Sequence, residues 1–236
     1  MTDKPIQDAP APFSGISDSD DHPYPSDFIL RSCDGVDFHV HREILKFGSA
    51  CFEGMFTTVR NGVDKPSRDG KPVLSLPETN AVLTKLLTLA YPAHTAGGYT
   101  LTVADLDIFV DVYQAAHKYQ FSLVEGLLGE ILDNPFLLGA HPYRLFAIAR
   151  VCQLPHIARK AALCTLESVL IPAPPEFPEM HLLTWADARK LFEFHQLCGK
   201  TAHDTAQNAT KSINAGMTSI PFTQIRRRTD HLCGGA

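Results

Sequence analysis

The grouping of strand-like segments in the first third of the chain is the feature that most limits its fold. Three short runs rich in β-branched, aliphatic and aromatic residues, DFILRS, VDFHVH and PVLSLPE, all lie between residues 27 and 78. Patterns with helical spacing separate the second run from the third and dominate the chain after residue 80. Strands grouped at the start and followed by helices predict an α+β fold and not an alternating parallel βαβ sheet.

Composition divides the chain into four parts. Residues 1–24 are rich in Asp and Pro and poor in aliphatic residues, which predicts a disordered acidic segment. Residues 25–133 contain the strands and the first helices, and one helix is predicted to bury Val82, Leu83, Leu86, Leu87 and Ala90. Residues 134–200 predict only helices, and residues 201–236 predict a flexible tail.

Charge and cysteine usage exclude several classes of protein. The net charge of −5 argues against a nucleic-acid partner, and no apolar run approaches the roughly 20 residues needed to cross a bilayer. The first residues lack the order of a secretory signal, so we expect an intracellular protein of the cytoplasm or nucleus. Six scattered cysteines without a CxxC pair predict reduced thiols.

Two pairs of side chains could bind a metal. His39 and His41 point to the same side of a strand and would need a third ligand; alternatively, the imidazole of His41 bonds a backbone group and His39 is a surface or inter-strand residue. His195 and Cys198 lie one helical turn apart, but their spacing matches no zinc finger. We therefore predict no metal and no cofactor.

Several motifs in consistent order resemble those of a BTB/POZ domain. The first strand, the turn and the following helices match at Asp27, Phe38, His41, Arg42, Leu45, Ser49, Phe52, Met55 and Phe56. Later motifs match at Leu86, Leu87 and Tyr91, and at Ala116, Lys118 and Tyr119. Residues 139–198 are similar to a helical continuation of fungal BTB proteins. The resemblance implies a short three-stranded sheet packed on a cluster of helices, followed by an all-helical extension.

The resemblance also implies roles for individual residues. In dimerising BTB domains the positions of Asp27 and Arg42 meet in a partly buried pocket, either as a partner site or as a structural ion pair. The expected partner contacts are Asp27, Phe28, Leu30, Arg42, Ile44, Phe47, Phe52, Leu83 and Lys85, with some of the apolar ones belonging to the core. The expected structural residues are His41, Ser49, Tyr91 and Tyr119.

These features favour a non-enzymatic protein-interaction module that forms a homodimer and recruits other proteins, with no small-molecule substrate. An alternative is a substrate adaptor of a cullin-type ubiquitin ligase. The apolar-x-Glu triplet common in cullin-binding families aligns with Leu83, Thr84 and Lys85, and lysine reverses the charge of the glutamate. A different alternative is a small thiol enzyme that uses Cys51, since Cys51 lies at a predicted helix start.

Overall fold

A computed structural model of the chain describes residues 6–15, 25–58, 66–92, 105–167 and 176–218. The chain consists of two compact units, Met1–Leu183 and Thr184–Ala236. The first unit contains a mixed sheet in the order β1-β3-β2-β5-β4. Its strands are β1 (Gln7–Asp8), β2 (Phe28–Arg31), β3 (Val36–Val40), β4 (Ser67–Arg68) and β5 (Lys71–Ser75).

The three predicted strands form the centre of this sheet, which confirms the α+β fold. β2 and β3 pair antiparallel, with Phe28 opposite Val40, and their turn contains Gly35 at a φ of +86°. β5 then pairs parallel with β2, with Ile29 opposite Val73. Because two-residue strands extend the sheet at both edges, it has five strands and not the expected three.

The helices between β3 and β5 begin at positions that the sequence marks. α1 spans Arg42–Gly48 and α2 spans Ala50–Thr58. Ser49 separates them, and its hydroxyl accepts a hydrogen bond from the Phe52 amide at 3.0 Å, as an N-cap does. α3 (Asn80–Ala90) follows β5 and buries Val82, Leu83, Leu86 and Leu87, as predicted, whereas Ala90 is partly exposed.

The remaining helices of the first unit are joined by short turns. They are α4 (Leu106–Lys118), α5 (Ser122–Leu132), α6 (Pro135–Ala140), α7 (Pro142–Val151) and α8 (Pro155–Cys164). The last three each begin with a proline, whose missing N–H would have no partner inside the helix at that position. Short 3₁₀ helices follow at Thr165–Glu167 and Pro178–Leu182.

The amino-terminal segment, residues 6–15, corrects the prediction that residues 1–24 are disordered. Its strand β1 runs parallel to β3, and Ala9 and Phe13 are each only 2% exposed. Composition misled the prediction because the segment does not need a core of its own. It adds to the edge of an existing sheet, and the Phe13 ring packs edge-on against Tyr91 with centroids 5.1 Å apart.

The second unit contains α9 (Trp185–Thr218), which corrects the prediction of a flexible tail from residue 201. Its start was predicted: the Asp187 amide donates to the Thr184 hydroxyl, which donates to the Asp187 carboxylate. Gly199 does not end the helix, since no proline occurs between Pro178 and Pro221. The basic run Arg226–Arg228 lies outside the described residues. Among the helices described, none is both long and apolar enough to span a bilayer.

Candidate functional site

Asp27 and Arg42 form the ion pair that the sequence motif predicts. Asp27 precedes β2 and Arg42 follows β3 as the first residue of α1, so the antiparallel pairing of β2 with β3 brings them together. One carboxylate oxygen accepts the Arg42 amide at 2.9 Å, and the other accepts the guanidinium Nε at 2.6 Å. Partial burial alone would raise the pKa of Asp27, but these hydrogen bonds lower it below its usual value. Both side chains remain more than 40% exposed.

The outer face of α1 carries a fully exposed aromatic side chain beside this pair. Phe47 is 97% exposed, and Ile44, one turn before it, is half-buried. Leu45 points the other way and is completely buried. Aromatic side chains of this size supply much of the binding energy in protein interfaces. The α1 face, defined as Arg42, Ile44 and Phe47 with Asp27, is therefore the first candidate interaction surface.

An apolar groove between α2 and β5 is a second surface, and sequence reasoning missed it. Its volume is about 780 Å³, and Phe28 and Phe56 lie in its lining. Ala50 and Gly54 are one turn apart on α2, and such small residues leave space beside a helix. Cys51 and Met55 also line the groove. The spacing of Ala50 and Gly54 was the available sequence signal. The groove can accommodate apolar side chains of a partner.

A network of charged side chains connects the amino-terminal segment to the sheet. The fully buried Asp37 carboxylate accepts hydrogen bonds from Arg31 Nε at 2.6 Å and from Arg68 Nη1 at 2.7 Å. Arg68 also donates to Asp8 at 2.8 Å. Burial would raise the pKa of Asp37 and of Asp8, but hydrogen bonds and the nearby positive charges lower both. This network was not predictable from the sequence, because its members come from four separate strands.

The expected structural residues stabilise the junctions between elements. The His41 amide donates to the Tyr91 hydroxyl at 2.8 Å, and His41 Nδ1 lies 3.4 Å from the same oxygen. The imidazole thus lies beside the hydroxyl group of Tyr91 at this strand-to-helix junction. Ser49 donates to the Tyr119 carbonyl, and the Tyr119 hydroxyl donates to Glu78 at 2.6 Å. Burial is the main cause that raises the pKa of Tyr91 and of Tyr119, so both hydroxyls stay protonated.

Comparison with family models identifies the domain that carries these surfaces. The model of the BTB/POZ domain matches residues 17–135, just over half of the chain. The chain belongs to the BTB/POZ family. BTB/POZ domains are protein-interaction modules, and the match includes both candidate surfaces but not the amino-terminal segment. A search of curated proteins found no match to the chain.

Burial in the BTB/POZ domain corrects several expected partner contacts. Strand β2 lies between β3 and β5, and its successive residues Phe28, Ile29 and Leu30 are all buried, so both of its faces are covered. Four residues that were expected to contact a partner are at most 3% exposed and belong instead to the core of the domain: Phe28, Leu30, Phe52 and Leu83. Lys85 is about one-third exposed, and its ammonium lies 2.5 Å from Asp105. Phe28 still lines the groove, where only its edge is accessible.

The histidines of the BTB/POZ domain face different neighbours. His39 is 8% exposed, so it is not a surface residue, and its Nε2 lies 3.1 Å from Asp8. Lys71 Nζ lies 3.4 Å from its other ring nitrogen. Nowhere in the described parts of the chain do three His, Cys, Asp or Glu side chains group closely enough to hold a metal ion. In the second unit, burial lowers the pKa of His195.

Proposed function

We propose that two copies of this protein associate through the α1 face of the BTB/POZ domain and that the dimer acts as a non-enzymatic platform for other proteins. The observation that carries the proposal is the 97% exposure of Phe47 on a short helix whose opposite side is fully buried. A two-fold axis through this face would place Phe47 of each copy against the other. Burial of both rings removes a large apolar surface from water.

The Asp27–Arg42 pair supports the same surface. Because Asp27 accepts hydrogen bonds from Arg42 within one chain, the pair is already satisfied and can be covered without leaving an unpaired charge. Glu43 and Lys46 form another ion pair on α1, at 2.6 Å. The charged side chains Arg42, Glu43 and Lys46 of α1 are thus paired within α1 or with Asp27, an arrangement that suits the rim of an interface.

Sedimentation over a dilution series tests the proposal, with Phe47→Asp as the variant. A charge at the centre of the interface should weaken self-association by at least about 30-fold, the equivalent of a 2 kcal/mol hot spot. Phe136→Asp is the matched control, because Phe136 is also highly exposed, at 78%, and lies on α6. Circular dichroism would verify that both variants fold. A wild-type protein that stays monomeric at high micromolar concentration, or equal dimers in both variants, would refute the proposal.

The recruitment of other proteins belongs to the groove between α2 and β5. Its lining is mostly apolar, and Cys51 provides a site for a thiol label at its wall. A partner that occupies the groove should slow the labelling of Cys51 but not of the exposed Cys33. Unchanged labelling of Cys51 in a stable complex would place recruitment elsewhere.

Neither alternative function gains support from the structure. For a cullin adaptor, Leu83 is buried and the Lys85 ammonium faces Asp105, so the aligned triplet does not present the acidic side chain of cullin-binding families. For a thiol enzyme, Cys51 lies in a predominantly apolar lining. Fast reaction of Cys51 with a thiol reagent at neutral pH would revive the enzyme hypothesis.

A further inference from the structure

The amino-terminal segment is bound to the BTB/POZ domain in the manner of a peptide ligand. Its backbone pairs with β3, and the hydrogen bonds along this edge include Gln7 N–H to Gly35 at 3.0 Å, Ala9 N–H to Asp37 at 2.8 Å, and His39 N–H to Phe13 at 3.0 Å. Addition of a strand to a sheet edge is a common mode of peptide recognition. The main-chain bonds fix the direction of the segment and leave selectivity to its side chains.

Two side chains of the segment occupy defined sites. The Asp8 carboxylate accepts hydrogen bonds from two nitrogens of the Arg68 guanidinium, at 2.8 and 3.1 Å. Five positions later, Phe13 is buried between Tyr91 and Phe38, with ring centroids 5.1 and 6.1 Å away. An acidic residue and an aromatic residue at this spacing therefore define the chemistry that the edge selects.

His39 adds a directional contact to the acidic site. The Lys71 ammonium can only donate, so it assigns the acceptor role to Nδ1 of His39. The proton of the neutral ring then lies on Nε2 and is donated to Asp8. Without the segment, Arg68 would lose its bonds to Asp8 and keep those to Asp37 and Asp69, and the Lys71 ammonium would remain beside His39. The edge is thus complementary to an acidic group.

The segment pairs with the sheet over a short ladder, although Ala9 and Phe13 are buried. Its ladder with β3 has only two residues, and it lies before the start of the family match at residue 17. Asp8 remains 38% exposed. Short edge strands with few buried side chains open at lower free energy than the rest of a domain.

We propose that the edge of β3 is a peptide-binding site and that the amino-terminal segment is its intramolecular ligand. The partner that fits is another protein's extended peptide with an acidic residue and, five positions later, a phenylalanine. Such a peptide would displace residues 6–15 and form the same contacts. The site shares no residue with the α1 face, so it does not depend on the proposed dimer.

Gly15→Ala in the full chain provides a release variant. Gly15 has a φ of +69°, and a Cβ there would lie 2.5 Å from atoms of the His39 ring. Gly70→Ala is the matched control, since Gly70 has a φ of +72° but open space around its Cβ position. Hydrogen exchange of the Ala9 and His39 amides should accelerate in Gly15→Ala and not in Gly70→Ala. Unchanged protection in both variants would contradict the proposal that the segment can leave the edge.

Fluorescence anisotropy with a labelled peptide IQDAPAPFSG, the sequence of residues 6–15, then tests the site itself. The peptide should bind Gly15→Ala at least about tenfold more tightly than wild type or Gly70→Ala, because the intramolecular ligand no longer competes. The same peptide with Asn for Asp and Ala for Phe should lose this binding. Equal affinity for all three proteins, or for both peptides, would overturn the proposal. Conversion of Gly15→Ala into a larger oligomer without peptide binding would overturn it in favour of exchange between copies.

Discussion

The carboxylate of Asp37 shows how one residue can link acid sensitivity to the edge of the sheet. Two arginines donate to it, and the pKa is lowered from 3.8 although burial opposes the shift. The native state thus binds this proton more weakly than the unfolded chain does. The resulting stability is complete above the ordinary pKa and is lost as the pH falls through the lowered value.

Asp37→Asn should therefore destabilise the protein at neutral pH by roughly 1.5–3 kcal/mol, the usual contribution of hydrogen bonds to a charged group. The difference from wild type should shrink as the pH falls below 3.8 and through the lowered pKa of Asp37, because the wild-type carboxylate then also becomes protonated. Urea unfolding at several pH values measures both effects. Asp69→Asn is the control, because Asp69 is 69% exposed and lies 3.5 Å from the same Arg68. A constant difference at all pH values would contradict the assignment.

Residue-level prediction succeeded where a motif fixes a local connection. Ser49 caps α2 through a residue three positions away, and Asp27 meets Arg42 across the β2–β3 hairpin that the motif contains. It failed to separate Phe52, which is buried, from Phe47, which is exposed, although both were expected at a partner surface. Both are phenylalanines on short helices, and burial depends on which side of the helix meets the sheet. That information lies in tertiary packing.

At the scale of elements, helices and central strands were predictable because each carries its own periodicity. β1 was not, since two residues in an acidic, proline-containing context become a strand only through pairing with β3. The residues of α9 after Gly199 were assigned to a tail because their periodic apolar pattern is weak. Within this helix the Thr201, Thr205 and Thr210 hydroxyls each donate to the carbonyl four residues earlier, which satisfies these side chains without ending the helix.

Arg144 of α7 connects three elements and allows a test at this scale. Its guanidinium donates to Glu179 of the 3₁₀ helix at 2.5 and 2.9 Å and to Asp107 in the first turn of α4 at 2.7 Å. The Glu179 side chain is only 4% exposed. Arg144→Met should therefore cost about 3–5 kcal/mol, because it leaves a buried carboxylate without its guanidinium.

The double variant Arg144→Met/Glu179→Met distinguishes a lost charge partner from lost packing. Removal of both charges should recover most of the stability, since an apolar pair of similar volume replaces the ion pair. Chemical denaturation of the wild type, both single variants and the double variant gives the coupling energy. A double variant no more stable than Arg144→Met would show that Arg144 acts through packing of its aliphatic stem.

At the scale of the whole molecule, the division after Leu183 predicts that residues 1–183 fold without α9. Apart from Leu191 of α9, every buried apolar side chain that the structure describes belongs to residues 1–183. The fragment should unfold in one cooperative transition. The single tryptophan, Trp185, belongs to α9, so circular dichroism is the appropriate measurement.

The same fragment tests whether α9 contributes to self-association. Because Phe47 and the rest of the α1 face lie in the first unit, residues 1–183 should dimerise as strongly as the full chain, and Phe47→Asp should abolish the dimer in both. Sedimentation of the four proteins at matched concentrations measures this. If the fragment were folded but monomeric while the full chain was a dimer, self-association would require residues 184–236. The Phe47→Asp variant of the full chain would then show whether the α1 face also contributes.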